Sequence, residues 1–598
     1  LWITAPLGII IHCCAPGWAH PDLPFSVVYL GTFTMKAALI GGILMLKQSR
    51  AAVSIHLVFI VALWFFSAHA VWQSSVHTIS GDEPHYLMMT HSLVNDADLN
   101  LFNDYREKAY AAFYPGELEP KPSDMVSKGQ IYSRGLGATF PALLIPAFVI
   151  GGHAGVQGFI AVCAALLISQ LYALLIHRRL HPRPVLMTVI LIGSSMPVLT
   201  YASLIYPDIP AALLIIAGLR LLQIRPLSKT GRSVPAWMLV LCVALIFLKF
   251  RYFVPVALLL VPVMTREHRK RGRLLWFLFS LVIFCAAYLV VDRAFLGGDL
   301  FANRFGGIYQ VQKYLPNIHS FGVLPGLLFD QESGLLFYAP VYFLLFAGWQ
   351  AFKGRKDSLY WFALLAPLFT ILSLSGHFAW HCLPTPPLRY LLPVLPPTGI
   401  FLVYALSDWR RKPLVYRFVA TVCIGTGWAV GLITSAAPDL LVNLADGSAK
   451  IFEQLGRILH QPLPVYFPSI IRPGTALAGW SVFIVLLITF LWTGSRRKAL
   501  VQPSLNPPAG ILTMLILGIC VPWISGTPGV CKYHPEDQWW VTSSSGTYFP
   551  VNRDPFFHQE KAYGWQFMPG TRVLTPLQAG AGTFSIVVRC RLTDSKQE

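Results

Sequence analysis

Two adjacent carboxylates follow an apolar segment in the first part of the chain. Residues 51–72 form an apolar run without Asp, Glu, Lys or Arg, and Asp82 and Glu83 come soon after it, between Gly81 and Pro84. Carboxylates at the mouth of a membrane span are costly in lipid and usually have a function. A fixed carboxylate can take the proton of a reacting hydroxyl. An Asp just before Pro84 is also a good start for a helix, and both interpretations can hold together.

A second carboxylate, Asp208, lies in the turn Tyr206-Pro207-Asp208-Ile209-Pro210 between the apolar runs 185–203 and 209–224. It could cap the second of these runs. A carboxylate on the same face as Asp82 would also supply the partner that a base needs for its orientation.

Lys249 and Arg251 lie at the apex of an apolar hairpin, residues 235–265. Each arm of about 14 residues would be roughly 21 Å long as a helix, whereas the hydrocarbon core is about 30 Å thick. The apex is therefore expected below the outer headgroups, where charges usually have specific partners. A lipid phosphate is the favoured partner, and snorkelling to the interface is the alternative.

Arg389 follows a short stretch with two histidines, at the outer start of the run 391–406. His377 and His381 have the i, i+4 spacing that can bind a metal on a helix. The sequence offers no third ligand, so an interfacial belt of aromatic and histidine side chains is the favoured interpretation. A divalent metal stays an open alternative, with no ligand set assigned.

The composition indicates an integral membrane protein. Hydrophobic residues make up 55% of the 598 residues and charged residues 12%, with a mean hydropathy of +0.57; soluble domains carry about 25% charged residues. The net charge of +19 could suggest nucleic acid, but the basic residues fall in short clusters between apolar runs. That distribution is typical of cytoplasmic loops, and no nucleic-acid partner is expected.

The basic clusters predict a topology with about 13–14 transmembrane helices, because each pair of neighbouring clusters encloses an even number of apolar runs. Loops 73–137, 295–334 and 435–475 are then external, and residues 138–150 form an interfacial helix. The predicted spans are 25–46, 51–72, 156–176, 185–203, 209–224, 235–250, 252–265, 274–294, 335–352, 358–375, 391–406, 414–434, 476–492 and 509–524.

The two ends of the chain differ from the middle. Residues 1–50 add one or more membrane segments before the main module, residues 51–524. Residues 525–598 contain Trp539-Trp540, an alternating stretch at 583–590 and frequent Gly and Pro, which predict a small external β-domain. Cys531 and Cys590 lie near its ends and could form a disulfide or remain two unrelated thiols.

Four ordered motifs resemble the membrane glycosyltransferases of the GT-C superfamily, in the branch of protein O-mannosyltransferases and aminoarabinose transferases. They extend over residues 51–406 and are Gly81-Asp82-Glu83-Pro84-His85-Tyr86, Tyr206-Pro207-Asp208-Ile209-Pro210, Gly334-Leu335-Leu336-Phe337-Tyr338-Ala339-Pro340, and Leu388-Arg389-Tyr390 through Pro396. The segment before residue 51 and the β-tail lie outside the resemblance.

The resemblance implies an all-α polytopic fold and inverting transfer from a polyprenyl-phosphate sugar to a glycan, lipid or protein hydroxyl, at the outer face of a bacterial inner membrane. It implies that Asp82 is the base or orients the acceptor, that Glu83 supports it, and that Asp208 is a looser match. Lys249, Arg251 and Arg389 would hold the phosphate. The side chains expected to line the substrate site are His85, Tyr86, Tyr206, His377 and His381.

Two other classes of protein remain as alternatives. A transporter or flippase of lipid-linked glycans would also have many spans and buried charges, but such proteins often show internal repeats, and this chain shows none. A non-catalytic scaffold that displays the β-tail would not need charges at a hairpin apex. The long external loop with its carboxylates favours an enzyme.

Overall fold

A computed structural model describes residues 50–76, 81–121, 125–127, 130–133, 136–224, 233–267, 323–354, 356–374, 385–443 and 447–470, with isolated helical residues between 279 and 286 and between 480 and 491, and four strands after residue 538. The described part of the chain is mainly helical. The helices, in chain order, are α1 Arg50–Val76, α2 Glu83–Asn95, α3 Phe102–Arg106, α4 Thr139–Ile176, α5 Pro182–Gly193, α6 Val198–Tyr201, α7 Asp208–Ile224, α8 Ser233–Leu248, α9 Phe253–Glu267, α10 Val323–Phe329, α11 Leu335–Tyr338, α12 Leu344–Ala351, α13 Ser358–Leu374, α14 Gly399–Leu406, α15 Leu414–Ala436 and α16 Lys450–Leu459.

Three of the described helices are long and apolar enough to cross a membrane: residues Ser54–Ser74 of α1, all of α4, and residues Leu414–Ile433 of α15. Five shorter apolar helical segments lie among them, at Pro182–Gly193, Trp237–Leu248, Phe253–Met264, Ser358–Leu374 and Pro396–Leu406. A helical, apolar chain agrees with the expected class. The count of about 13–14 spans stays a prediction, because 25–46 and 509–524, and most of 274–294 and 476–492, lie outside the described residues.

Helix α4 is the centre of the described fold and packs against α1, α2 and α7. Gly151 and Gly152 interrupt it with non-helical backbone angles, so that residues 139–150 form a separate arm. The chain bends sharply here, since a Cβ on Gly155 would lie 2.1 Å from the carbonyl oxygen of Ala147. The expected helix at 138–150 is therefore present as this arm, and its interfacial position stays a prediction.

Three predicted spans were wrong in their continuity. Span 185–203 is divided into α5 and α6, span 335–352 into α11, a 3₁₀ turn at Pro340–Phe343 and α12, and span 391–406 is helical only from Pro396. Each break contains a proline, at Pro197, Pro340 and Pro393, and proline has no backbone N–H for the helical ladder. Hydropathy alone does not register this effect.

The predicted topology places certain helix ends on the same side of the membrane, and in the structure these ends contact each other. Trp72 and Gln73, at the end of α1, both donate to the carbonyl oxygen of Ser435 at the end of α15, at 2.8 and 2.9 Å. At the other side, Arg178 forms an ion pair with Asp357. These contacts are consistent with the predicted pairing of loops, and which side faces outward stays a prediction.

The described β structure is small. Strands β1 Met125–Ser127 and β2 Gln130–Tyr132 pair antiparallel in the loop after α3. Strands β3 Trp539–Thr542, β4 Tyr548–Val551, β5 Arg572–Ala579 and β6 Gly582–Val588 form an antiparallel sheet in the order β4-β3-β5-β6. An independent external domain at 525–598 remains a prediction, and Cys531 and Cys590 lie outside the described residues.

A buried polar turn, residues 330–334, fastens two segments of the chain together. Asp330 accepts hydrogen bonds from the backbone N–H groups of Glu332 at 2.8 Å and of Ile470 at 2.8 Å. Burial raises the pKa of the Asp330 carboxyl to about 6, against the lowering effect of these N–H donors. Gly334 is required here, since a Cβ would lie 2.5 Å from the backbone of Asp330.

Acidification is therefore expected to stabilise this turn. The folded-state pKa of Asp330 lies above its unfolded value, so the native state binds more protons between about pH 4 and 6 and its stability rises as the pH falls through that window. The difference between the folded and unfolded pKa of Asp330 limits this gain in stability to an amount on the order of 3 kcal/mol. In detergent, the melting temperature of the natural protein should rise relative to that of Asp330→Asn between pH 7 and 5. Parallel curves for the two proteins would contradict this assignment.

Candidate functional site

Six charged side chains from five separate segments meet at one buried cluster, which we call the charge cluster. They are Asp82, Lys121, Asp208, Lys249, Arg251 and Arg389. The segments are the start of α2, the irregular chain before residue 122, the start of α7, the α8–α9 turn and the turn before α14. Five of these residues were predicted from the sequence to lie on one side of the membrane. The structure brings all five together.

Arg389 is at the centre of the charge cluster. Its Nη1 lies 2.8 Å from Asp82 Oδ2, and its Nε lies 3.3 Å from Asp208 Oδ2. The guanidinium also stacks over the Tyr206 ring, with Cζ 4.1 Å from the ring centroid. Both carboxylates raise the pKa of Arg389 despite its burial, so it is a permanent cation.

The backbone before Arg389 is strained. Leu388 has φ +67°, in the left-handed region, which costs a non-glycine residue about 1–2 kcal/mol. The carbonyl of Leu388 accepts hydrogen bonds from the backbone of Leu391 and Leu392, both at 3.1 Å. Strain of this kind persists where the surroundings over-determine a conformation, often at a functional site. Here it aims the Arg389 side chain between the two carboxylates.

Asp82 precedes α2, and capping of this helix was one of the two interpretations of Asp82 drawn from the sequence. Its carboxylate makes no hydrogen bond to the α2 backbone. Pro84 occupies one of the two positions whose N–H a cap would use, and it has no N–H. The carboxylate instead pairs with Lys121 and Arg389, since charge-assisted bonds are the stronger ones.

Ionisation of Asp82 is strongly favoured in this arrangement. Burial alone would raise the pKa of its carboxyl, but the positive charges of Arg389, Lys121 and Lys249 outweigh that effect and hold the pKa well below its usual range. A carboxylate with so low a pKa is a weak base while these cations remain paired with it.

Asp208 is the first residue of α7, and its side chain is fully buried. It pairs with Arg251 and Arg389 and accepts a hydrogen bond from Tyr252 Oη at 2.9 Å. The Asp82 side chain, by contrast, is 21% exposed. A molecule from solution could therefore reach Asp82, whereas Asp208 is positioned to hold two arginines.

Glu83 and the tyrosines of the predicted site support the charge cluster. Glu83 accepts a hydrogen bond from the backbone N–H of Ile205 at 2.7 Å, which fixes the turn that carries Tyr206. Tyr206 Oη accepts from the backbone N–H of Asp82 at 3.3 Å, and Lys249 Nζ donates to Tyr86 Oη at 3.0 Å.

Of the three histidines predicted to line the site, only His85 lies within the described residues. His85 is buried, with Nδ1 3.1 Å from Tyr105 Oη. Burial and the neighbouring Lys121 lower its pKa to about 3, so it is neutral. His377 and His381 lie outside the described residues. Within the described residues, no group of three or more His, Cys, Asp or Glu side chains could hold a metal ion.

The sequence interpretation missed Lys121, Tyr252 and Tyr390. Lys121 is the second partner of Asp82, and Arg251 lies over the Tyr390 ring at 4.6 Å from its centroid. Lys121 follows Pro120 in the long external loop, where a cation departs from the usual distribution of positive charge. The same predicted loop also contains Arg106, Lys108, Lys128 and Arg134, so this departure alone does not single out Lys121.

Two guanidinium donors in the charge cluster have no hydrogen-bond partner among the residues that the structure describes. They are Nη2 of Arg389 and Nε of Arg251, and both atoms are buried. A buried donor without a partner costs about 1–3 kcal/mol. Two such donors in one cluster mark a place where an anionic ligand could bind.

Comparisons with known proteins give one structural similarity. No family model and no curated protein matches the chain. The chain is similar to a solved structure, ArnT from Cupriavidus metallidurans bound to undecaprenyl phosphate, with 15% identity over 78% of this chain and 75% of that chain and a TM-score of 0.43. Similarity at this level says nothing about the chemistry of the charge cluster, which rests on the residues of this chain.

Gly81 offers a test of how tightly the site is built. It has φ +63°, and a Cβ there would lie 2.7 Å from Tyr206 Oη and 3.1 Å from Thr385 Cγ2. We expect Gly81→Ala to destabilise the protein by about 1–3 kcal/mol, through strain and through displacement of Tyr206. Thermal unfolding in detergent measures this effect.

Gly425, in the middle of α15, provides the matched control, because nothing lies within 4 Å of a Cβ placed there. Gly425→Ala should leave the melting temperature unchanged or raise it. Equal melting temperatures for Gly81→Ala and Gly425→Ala would show that the turn before α2 is loosely packed.

Proposed function

We propose that this protein is a membrane glycosyltransferase that moves a sugar from a polyprenyl-phosphate donor to an acceptor hydroxyl at the extracytoplasmic face, with inversion at the anomeric carbon. The observation that carries the proposal is the charge cluster, with its buried guanidinium donors that have no described partner. The acceptor is a glycan, a lipid or a protein, and the donor sugar is a hexose or a pentose.

The charge balance of the cluster fits the leaving group of such a reaction. Lys121, Arg251 and Arg389 pair with the carboxylates of Asp82 and Asp208, which leaves an excess of one positive charge. The buried amine of Lys249 lies beside them and adds a further charge when it is protonated. The phosphodiester of a sugar donor carries one negative charge, whereas the released phosphate monoester carries about −1.5 to −2. The cluster would therefore stabilise the charge that develops as the bond breaks, which accelerates the reaction.

Arginine is suited to this role. Its planar guanidinium can donate two parallel hydrogen bonds to a phosphate. Arg389 and Arg251 each have one buried guanidinium N–H without a hydrogen-bond partner among the described residues. Asp208 holds both guanidinium groups in place, together with the ring of Tyr206 at Arg389 and the ring of Tyr390 at Arg251. Lys121 adds a flexible point charge beside them, and the buried amine of Lys249 supplies a further hydrogen-bond donor.

Asp82 is the group assigned to the acceptor. The acceptor oxygen forms a bond to the anomeric carbon as the bond from that carbon to the phosphate oxygen breaks, and the hydroxyl proton passes to the Asp82 carboxylate. The donor phosphate would draw Arg389, Lys121 and Lys249 toward itself. Because these cations keep the pKa of Asp82 low, their engagement would raise that pKa and make the carboxylate a better base when the donor is bound.

Donor binding can be tested with Arg389→Gln. This change removes charge-assisted hydrogen bonds worth about 1.5–3 kcal/mol, so the purified protein should bind polyprenyl phosphate at least about tenfold more weakly. Arg220→Gln is the matched control, since Arg220 is a half-buried arginine on α7 that pairs with Gln170 and takes no part in the charge cluster.

Lys249→Met repeats the binding test at a residue whose described hydrogen bond goes to a tyrosine hydroxyl rather than a carboxylate. Unlike Arg389→Gln, the Lys249→Met variant leaves Arg389 in place as the partner of Asp82 and Asp208. Affinity that stays normal in both Arg389→Gln and Lys249→Met would place the phosphate elsewhere.

Catalysis can be tested with Asp82→Asn in a transfer assay with a polyprenyl-phosphate sugar. The rate should fall by roughly 10²–10⁴, the range for loss of a general base, with donor binding nearly unchanged. The acid limb of kcat, which reports the donor complex, should lie at higher pH than the acid limb of kcat/KM, because the bound phosphate raises the pKa of Asp82.

Asp357→Asn serves as the control, since Asp357 pairs with Arg178 away from the charge cluster. Near-normal transfer by Asp82→Asn would move the base to another group. Donor binding with no transfer to any acceptor, together with movement of the lipid-linked sugar across vesicle membranes, would favour the flippase instead.

A further inference from the structure

A cavity of about 440 Å³ lies along α15, on parts of the chain that contribute nothing to the charge cluster. Helices α11, α15 and α16, the segment that ends at Phe467, and described residues between 480 and 490 form its walls. The lining is almost wholly aliphatic and aromatic. Its volume is within the range of sites that bind lipids and other small molecules, about 300–1,000 Å³.

The cavity is a groove that follows a helix suited to cross the membrane. Its lining on α15 runs from Phe418 to Ile433, which corresponds to roughly 22 Å of helix. Phe418 and Val422 line the groove and are also 53% and 45% exposed, so the groove is open along the side of α15. It is continuous with the exposed apolar face of α15, which includes Leu414 and Leu432.

One end of the groove is closed by aromatic rings. Phe452 of α16 stacks on Phe467, with centroids 3.9 Å apart and planes 5° from parallel. Phe337 meets both rings edge-on, at 5.6 and 5.4 Å, and the Trp480 ring lies 5.6 Å from Phe467. This wall is apolar, rigid and in contact with α16.

Helix α16 has apolar residues on two sides. Ile451 and Phe452 face the groove, whereas Ile458 and Leu459 are 65% and 58% exposed. Arg457 is also exposed, and Lys450 is partly exposed at the start of the helix. The partly exposed Glu453 lies between them, so that α16 carries an excess of one positive charge. A helix with exposed apolar side chains and nearby cations is typical of one that lies in the interface of a bilayer with anionic lipids.

The buried turn 330–334 holds α16 in place. Gln331 donates to the carbonyl oxygen of Pro464 at 3.0 Å and accepts from the backbone of Ala449 at 3.3 Å, so it contacts the chain on both sides of α16. Asn443 accepts from the backbone of Lys450 at 3.0 Å and donates to the carbonyl oxygen of Glu332 at 2.8 Å. The outer end of the groove is therefore a fixed structure.

We propose that α16 lies at the surface of the bilayer and that the groove binds one acyl chain of an anionic phospholipid, with the phosphate next to Lys450 and Arg457. The apolar lining and the opening toward the lipid-facing side of α15 account for the chain, and the two cations account for the charge. The proposal is independent of the reaction at the charge cluster, because the two sites share no residue.

The test uses the full chain in vesicles of phosphatidylcholine with a small fraction of phosphatidylglycerol that carries a photoreactive diazirine on one acyl chain. We expect crosslinks, mapped by mass spectrometry, at residues 418–433 and on α16. Ala429→Phe and Val422→Phe, which fill the groove, should reduce crosslinking several-fold. Leu432→Phe is the control, because Leu432 lies on the same helix outside the groove and is exposed.

The headgroup is tested with the double variant Lys450→Ala, Arg457→Ala. It should lower labelling by the phosphatidylglycerol probe to the level of a phosphatidylcholine probe with the same chain. Undiminished labelling in both groove-filling variants would overturn the proposal. So would displacement of the probe by polyprenyl phosphate but not by unlabelled phosphatidylglycerol, since the groove would then bind the donor chain.

Discussion

The ion pairs of Arg389 with Asp82 and Asp208 are the interaction on which the described structure depends. A guanidinium cannot be buried without partners, because removing one side of a buried pair leaves an uncompensated charge and costs about 3–5 kcal/mol. Arg389 therefore requires α2, α7 and its own turn to be correctly positioned relative to one another. The positive φ of Leu388, the glycine at position 81 and the hydrogen bond that Glu83 accepts from Ile205 all support this arrangement.

A site of this kind has too much positive charge to be explained by stability alone. Two carboxylates pair with three cations, with Lys249 beside them, and two buried guanidinium donors lack a partner among the described residues. Replacing such groups by apolar ones often leaves stability unchanged or improves it. The arrangement is understandable if the carboxylates hold the cations ready and an anionic ligand completes their coordination. When the ligand draws the cations away from Asp82, the pKa of its carboxyl rises and it becomes a stronger base.

The part of the molecule around residues 330–334 and 447–470 is organised by a different polar centre. The turn 330–334 buries Asp330, Gln331 and Glu332 and ties them to residues 443–470 through backbone hydrogen bonds. Between this centre and α15 lies the apolar groove. Filling a groove of this lining with water would be unfavourable, because removing apolar surface from water is favourable by about 25 cal/mol per Å². Hydrocarbon is the natural occupant beside a membrane span.

Much of this organisation could be predicted from the sequence, because a bilayer imposes simple rules. Apolar runs predict helices, since lipid offers no partner for an open backbone, and basic clusters predict which loops share a side. Those two rules predict that Asp82, Asp208, Lys249, Arg251 and Arg389 lie on one side of the membrane, and the structure brings their side chains together. The resemblance of the motifs around them added the expected reaction, which the comparisons leave as a proposal.

Only the tertiary structure decided how these charges pair. Capping of α2 was one interpretation of Asp82, yet its carboxylate bonds to Lys121 and Arg389, which are 39 and 307 positions away in the chain. Lys121 has no periodic pattern that would mark it, and the prolines that divide three predicted spans do not alter their hydropathy. Sequence patterns report local preferences and average burial. Ion pairing depends on distances between distant segments, which exist only once the helices have packed.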